Sequence, residues 1–179
     1  EHIVEMSPRA VAELVLKFDC DNVVLTGGEP LLQADELVEL IDAIRAHAPE
    51  TRFEVETNGT RNPGDMLWKK VDQFNVSAKL SNSGNSQALR EVGTQLEAFG
   101  KCEKAWFKFV VSQPADLEEI QTLESKYQLS RKRILLMPEG TTPEALQSRR
   151  QWLADICRDQ GYRLTDRLHV NIWGAKRGV

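Results

Sequence analysis

A chain of 179 residues fits one domain, 1–179, and is long enough to bury a real core. Its 41% apolar and 28% charged residues, with a formal net charge of −4 from interspersed signs, are those of a soluble globular protein. They exclude a basic nucleic-acid surface and a polybasic membrane patch, and no apolar run approaches the length that spans a bilayer.

Helix and strand signals then alternate along the chain. Ser7 and Pro8 form an N-cap and first-turn pair, followed by Val11, Leu14, Val15 and Phe18 at helical spacing. Val23-Val24-Leu25 reads as a buried strand over 22–26 that ends at the paired glycines 27 and 28. Leu31 and Leu32 lead into a helix marked by Leu37, Leu40, Ile41 and Ile44. A second strand is expected over 52–56, a short helix over 65–71 and a third strand over 73–77. The spacing predicts one helix over 86–99, a fourth strand over 105–111 and a helix from Pro114 through Tyr127. A fifth strand over 133–137 precedes a long helix, opened by Thr142-Pro143 and ended by Gly161. Residues 167–173 read as a terminal strand. Strands alternating with helices imply an α/β fold, a parallel sheet with outer helices, in which ligands gather at the carboxyl ends of the strands.

The chemistry-bearing residues fall repeatedly at those ends. Thr26-Gly27-Gly28-Glu29-Pro30-Leu31 combines a flexible backbone with a carboxylate suited to a ligand amine. Glu56 closes the second strand, on the face opposite Phe53 and Val55, and an inward carboxylate there needs a partner. Asn58-Gly59 suits a turn. Ser77 and Lys79 share a face by period two, ahead of the polar run Ser81-Asn82-Ser83-Gly84-Asn85. Met137 suits packing against a flat ring, and Pro138-Glu139-Gly140 ends the fifth strand. Alternation in a terminal strand puts Arg167, His169 and Asn171 on one face, and the basic tail carries Arg177 and the Val179 carboxylate. Cys20, Cys102 and Cys157 are too far apart for a local metal knuckle, Cys157 reads as core, and a reducing cytoplasm is the expected compartment.

T-G-G-E-P-L at a strand end resembles the motif with which radical S-adenosylmethionine (SAM) enzymes hold SAM. Together with E-T-N-G-T, V-S-A-K-L-S-N-S-G, K-F-V-V, L-M-P-E-G and H-V-N-I-W-G-A-K-R-G-V, it resembles the 7-carboxy-7-deazaguanine synthase family, over nearly the whole chain. That family usually has S-P-K where this chain has Ser77-Ala78-Lys79. The resemblance implies a partial (β/α) barrel and carbon–nitrogen lyase chemistry in 7-deazapurine (queuosine) biosynthesis, on 6-carboxy-5,6,7,8-tetrahydropterin. It implies SAM, a 4Fe–4S cluster and magnesium as cofactors, and an electron donor such as flavodoxin or ferredoxin. Related enzymes often dimerise. By position, Gly28 and Glu29 are expected to hold the SAM amino group, Ser77 and Lys79 other SAM groups, and Met137, Pro138, Glu139 and Gly140 the adenosine. Thr26, His169 and Val179 are expected to contact the pterin, with Glu56 in the same pocket.

The family's three closely spaced cluster cysteines and its magnesium contact have no counterpart in this sequence. The expectation is a fragment, lacking its first strand and cluster loop and inactive alone. Two other readings compete with it. A glycyl-radical-enzyme activase also carries G-G-E-P, and a non-catalytic nucleotide-binding α/β domain would use the same residues without redox chemistry.

Overall fold

The computed structural model describes residues 4–176. Six strands follow one another in chain order within one sheet, β1-β2-β3-β4-β5-β6. They are β1 (Asn22–Leu25), β2 (Arg52–Thr57), β3 (Gln73–Val76), β4 (Ala105–Val111), β5 (Ile134–Pro138) and β6 (Arg163–Leu164). An order without reversal is that of a (β/α) barrel arc, whereas doubly wound sheets reverse at a switch point. The helices are α1 (Pro8–Val15), α2 (Ala34–Arg45), α3 (Gly64–Lys70), α4 (Gln87–Arg90), α5 (Gly93–Lys101), α6 (Asp116–Tyr127), α7 (Pro143–Gln160) and α8 (Leu168–Trp173). The described residues divide into two compact units, residues 4–57 with 61–75, and residues 58–60 with 76–176.

In the first unit β1 and β2 pair in parallel, with Leu25 opposite Val55. Strand β2 alternates as the period of two requires, burying Phe53, Val55 and Thr57 while Glu54 and Glu56 are half-buried. Helix α2 lays Leu40, Ile41 and Ile44 into the core with Phe53, Leu67 and Phe74. The lower end of this core is tied by Asp72, whose carboxylate accepts from the Phe53 N–H at 2.8 Å and pairs with Arg45 at 2.9 Å. Glu54 has its partners, chiefly the Asn75 amide at 2.9 Å.

The expectation of a buried first strand needs correcting. Val24 is 47% exposed, because β1 stands at the end of the strand order and has β2 on one side only. The run Pro30–Gln33 is a 3-10 turn that precedes α2, since Pro30 fits the first turn but Glu29 caps it in extended geometry.

In the second unit β4 and β5 alternate strictly, burying Phe107, Phe109 and Val111 against Ile134 and Leu136. Their parallel register sets Val110 beside Met137 and Val111 beside Pro138. Helix α7 is delimited by its sequence. The Thr142 hydroxyl accepts from the Ala145 N–H, Pro143 opens the first turn, and Gly161 closes the helix at φ +78°.

Two expectations fail here. The helix expected over 86–99 is broken into α4 and α5, because Glu91 and Val92 leave helical geometry and Gly93 lies where a Cβ would stand 3.2 Å from the Tyr127 hydroxyl. The terminal strand expected over 167–173 is helix α8, and the edge place beside β5 is taken by β6, with Leu164 opposite Leu136. The apolar residues Leu168 and Ile172 fit a helical spacing of four as well as a strand's period of two, and helix geometry won. Arg167 and Asn171 are therefore one turn apart, whereas His169 stands about 200° round the helix from Arg167. No helix among the described residues is long and apolar enough to cross a membrane.

Candidate functional site

The first unit builds its candidate site from the ends of β1 and β2. After Leu25 the chain turns through Gly27 at φ +106° and Gly28 at φ +44°. A Cβ at either position would meet nothing within 4 Å, so backbone conformation, not crowding, calls for glycine. That leaves an open, exposed stretch of main chain beside a carboxylate. Thr26 is exposed at the same turn. Glu29 is half-buried and capped: its Oε1 accepts from the Leu31 N–H at 3.2 Å and from the Thr57 hydroxyl at 2.7 Å. The arrangement fits a ligand ammonium. The open glycine backbone lets a small amino acid moiety approach, and Glu29 is oriented before it arrives.

Thr57, one residue past the expected end of the second strand, was not singled out in the sequence and is the last residue of β2. It is only 3% exposed, on the apolar register of β2 shared with Phe53 and Val55. A hydroxyl in that register must find a partner, and this was the available signal. Glu56, one residue earlier, is half-buried on the opposite face.

The second unit carries its own cleft, about 550 Å³, bordered by Lys79, Asn82, Ser83, Asn85, Ser112 and Glu139. The alternation of β3 continues past its end. Val76, Ala78 and Leu80 are buried while Ser77 and Lys79 are half-buried, sharing a face as the period of two implies. Beyond β5, the Glu139 N–H donates to the Val111 carbonyl at 2.9 Å, and its carboxylate lies 3.3 Å from the Arg149 guanidinium. Arg149 in turn donates to the Ser112 carbonyl at 3.0 Å. Met137 is half-buried, Pro138 buried, and Gly140 tucks so close to Leu146 that a Cβ would stand 3.0 Å from its side chain. The Gly140 carbonyl accepts from Arg167 at 3.4 Å.

Sequence reasoning missed Asp116, the most heavily bonded carboxylate of this unit. It is 6% exposed, and its Oδ2 accepts from the Ser112 N–H at 2.7 Å, the Ser112 hydroxyl at 2.9 Å, the Asn82 amide at 2.7 Å and the Gln113 N–H at 3.2 Å. Burial works against its charge, but the Ser112, Asn82 and Gln113 bonds outweigh it and hold the carboxyl below its ordinary range. An acid in the first turn of a helix reads in sequence as a dipole complement, which hides this role.

His169 is exposed on α8 and is not gathered with Arg167 and Asn171, as the strand expectation had it. Val179 and Arg177 lie outside the described residues. The cysteines differ in setting. Cys20 is exposed, Cys102 half-buried and Cys157 buried, the last with its thiol pushed up to about 11 by burial. No group of three or more His, Cys, Asp or Glu side chains able to hold a metal ion is gathered among the described residues. The described residues therefore offer no donor set for a 4Fe–4S cluster, or for a magnesium ion held by three or more of these side chains.

A sequence model described as the Radical SAM superfamily matches residues 1–99. The fold agrees: a domain of pyruvate-formate lyase-activating enzyme from Bacteroides vulgatus superposes with a TM-score of 0.58 at 15% identity, over 80% of this chain and 97% of that one. The class is thus the radical SAM enzymes, for which SAM and a 4Fe–4S cluster are the expected cofactors. Among curated proteins, the 7-carboxy-7-deazaguanine synthase of Pyrobaculum aerophilum is 39% identical over 88% of this chain and 67% of its own length. That of Halobacterium salinarum is 35% identical over 91% of this chain and 69% of its own. The chain belongs to the radical SAM superfamily and, within it, to the family of these 7-carboxy-7-deazaguanine synthases.

Proposed function

We propose that this chain binds SAM and a pterin in a carbon–nitrogen lyase reaction that converts 6-carboxy-5,6,7,8-tetrahydropterin to 7-carboxy-7-deazaguanine, within 7-deazapurine (queuosine) biosynthesis. The observation that carries the reading is the Glu29 carboxylate, held by the Thr57 hydroxyl beside open glycine backbone, in a chain 39% identical to a synthase of that name. Gly28 and Glu29 take the SAM ammonium. Ser77 and Lys79 take other polar groups of SAM, and Met137, Pro138, Glu139 and Gly140 line the adenosine. Thr26, Glu56, His169 and Val179 address the pterin. A flavodoxin- or ferredoxin-type protein supplies electrons. The compartment is the cytoplasm, and dimerisation is a property of related enzymes for which no interface is identified in this chain.

The likeness to an activating enzyme, at 15% identity, concerns the fold alone and does not favour a glycyl-radical reading. Titration calorimetry separates the two. The pterin is expected to bind, and a peptide carrying a glycyl-radical loop is not. His169→Ala is expected to weaken the pterin and leave SAM untouched. Equal losses for both ligands would make His169 structural, and binding of the peptide in place of the pterin would overturn the lyase reading.

A further inference from the structure

The connection from Leu80 to Val92 is long, yet its first part is fastened from below. Ser81 donates through its N–H and hydroxyl to Glu119 of α6 at 2.9 and 2.7 Å. Asn82 directs its Nδ2 group into the protein, to Asp116 Oδ2 at 2.7 Å and the Val110 carbonyl at 3.1 Å, with the Ser112 hydroxyl at 3.4 Å. All three surrounding atoms are acceptors for that amide, so its orientation is fixed: the NH2 points inward and Oδ1 is the atom left to face outward. Asn82 itself borders the cleft that also holds Lys79, Ser83 and Glu139. Asp116 is buried and reaches the cleft only through its neighbours.

We propose that Asn82 is a further ligand-binding residue, its Oδ1 accepting from an N–H or O–H donor of a nucleoside in this cleft, and that Asp116 is the positioning residue that fixes it. The inference rests on the proposal that SAM binds here, and it deepens it. The cleft offers a donor at Lys79 and hydroxyls at Ser83 and Ser112, while Asn82 Oδ1 supplies a neutral acceptor beside the Glu139 carboxylate. A neutral acceptor reads an amine or hydroxyl without demanding a charge on it, which suits a nucleoside better than a second ammonium. Asp116 spends one of its four contacts on this orientation and the other three on the turn that ends β4, so the two are set together.

Calorimetry with SAM on the full chain tests it, using Asn82→Ala, Asp116→Ala, the double variant and Asp116→Asn. Because Asp116 acts through Asn82, each alanine variant is expected to weaken SAM about tenfold, and the double variant no more than about tenfold. Asp116→Asn keeps an acceptor for the Asn82 amide and is expected to restore most of the affinity. Asn82 is exposed, so Asn82→Ala folds and gives a clean reading. Unchanged SAM affinity in Asn82→Ala would overturn the inference while leaving SAM binding intact. Losses that multiply in the double variant would overturn the positioning role. A wild-type chain that binds no SAM would remove the site reading itself, and this inference with it.

Discussion

The Gly27–Glu29 strand end and the Ser81–Glu91 connection are both loops leaving the carboxyl ends of strands, but they are held by different means. The first is local. Two glycines set its path, and one carboxylate is fixed by an N–H two residues on and by Thr57 of the paired strand. The second is held at a distance by the two ends of α6. Asp116 and Glu119 in its first turns grip Asn82, Ser81 and Arg90, and Lys126 and Tyr127 in its last turn grip Glu91. A loop held locally can present open backbone to a ligand. A loop held by a helix presents oriented side chains, and it loses its shape when the helix contacts are removed.

That contrast can be broken most sharply at Asp116. Asp116→Ala leaves the Ser112 and Gln113 N–H groups without their acceptor and is expected to lower stability by about 2–4 kcal/mol in urea unfolding. A loss under about 1 kcal/mol would mean that the connection is anchored elsewhere.

The other end of α6 is tested by pH. Burial raises the Glu91 carboxyl, but bonds from Lys126, Tyr127 and Gln87 outweigh this and bring it down to about 2. The folded value lies below the unfolded one, so Glu91 contributes its stability above the unfolded carboxylate range, near 4.5. That contribution is lost as pH falls towards 2. The loss is expected to be about 1–2 kcal/mol after solvent screening, and Glu91→Gln should flatten it in unfolding curves between those pH values. An unchanged pH slope in the variant would remove Glu91 from the account.

Thr57→Val probes the local loop. It keeps the shape and deletes one hydroxyl, so stability is expected to fall by only about 1 kcal/mol. The informative readout is SAM affinity, expected to fall several-fold because Glu29 loses its guide. The smallest effect is at the thiols. Cys20 is expected to alkylate readily at neutral pH and Cys157 only on unfolding, by mass spectrometry of peptides. Equal labelling of the two would contradict the burial of α7's inner face.

Much of this was legible in the sequence because the governing rules are local. Period-two alternation put Phe53 and Val55 on the face opposite Glu54 and Glu56 and set Ser77 beside Lys79, and Thr142-Pro143 with Gly161 marked the ends of α7. What failed depended on distant partners. Residues 167–173 satisfy strand and helix spacing alike, and only the pairing of β6 with β5 leaves them helical. The break at Glu91 follows from Tyr127 and Lys126, thirty-five and more residues away. Asp116 was invisible for the same reason, since three of its four bonds lie within four residues but the one that matters for the cleft reaches back to Asn82.

The account's central claim is that Glu29 receives the SAM ammonium. Calorimetric titration of SAM into the wild-type chain and into Glu29→Ala tests it most directly. Loss of a charge-assisted bond of about 1.5–3 kcal/mol predicts an affinity weakened by about tenfold or more, with the fold retained. Equal affinity in the two proteins would contradict it and leave Glu29 as no more than the cap of the turn that follows.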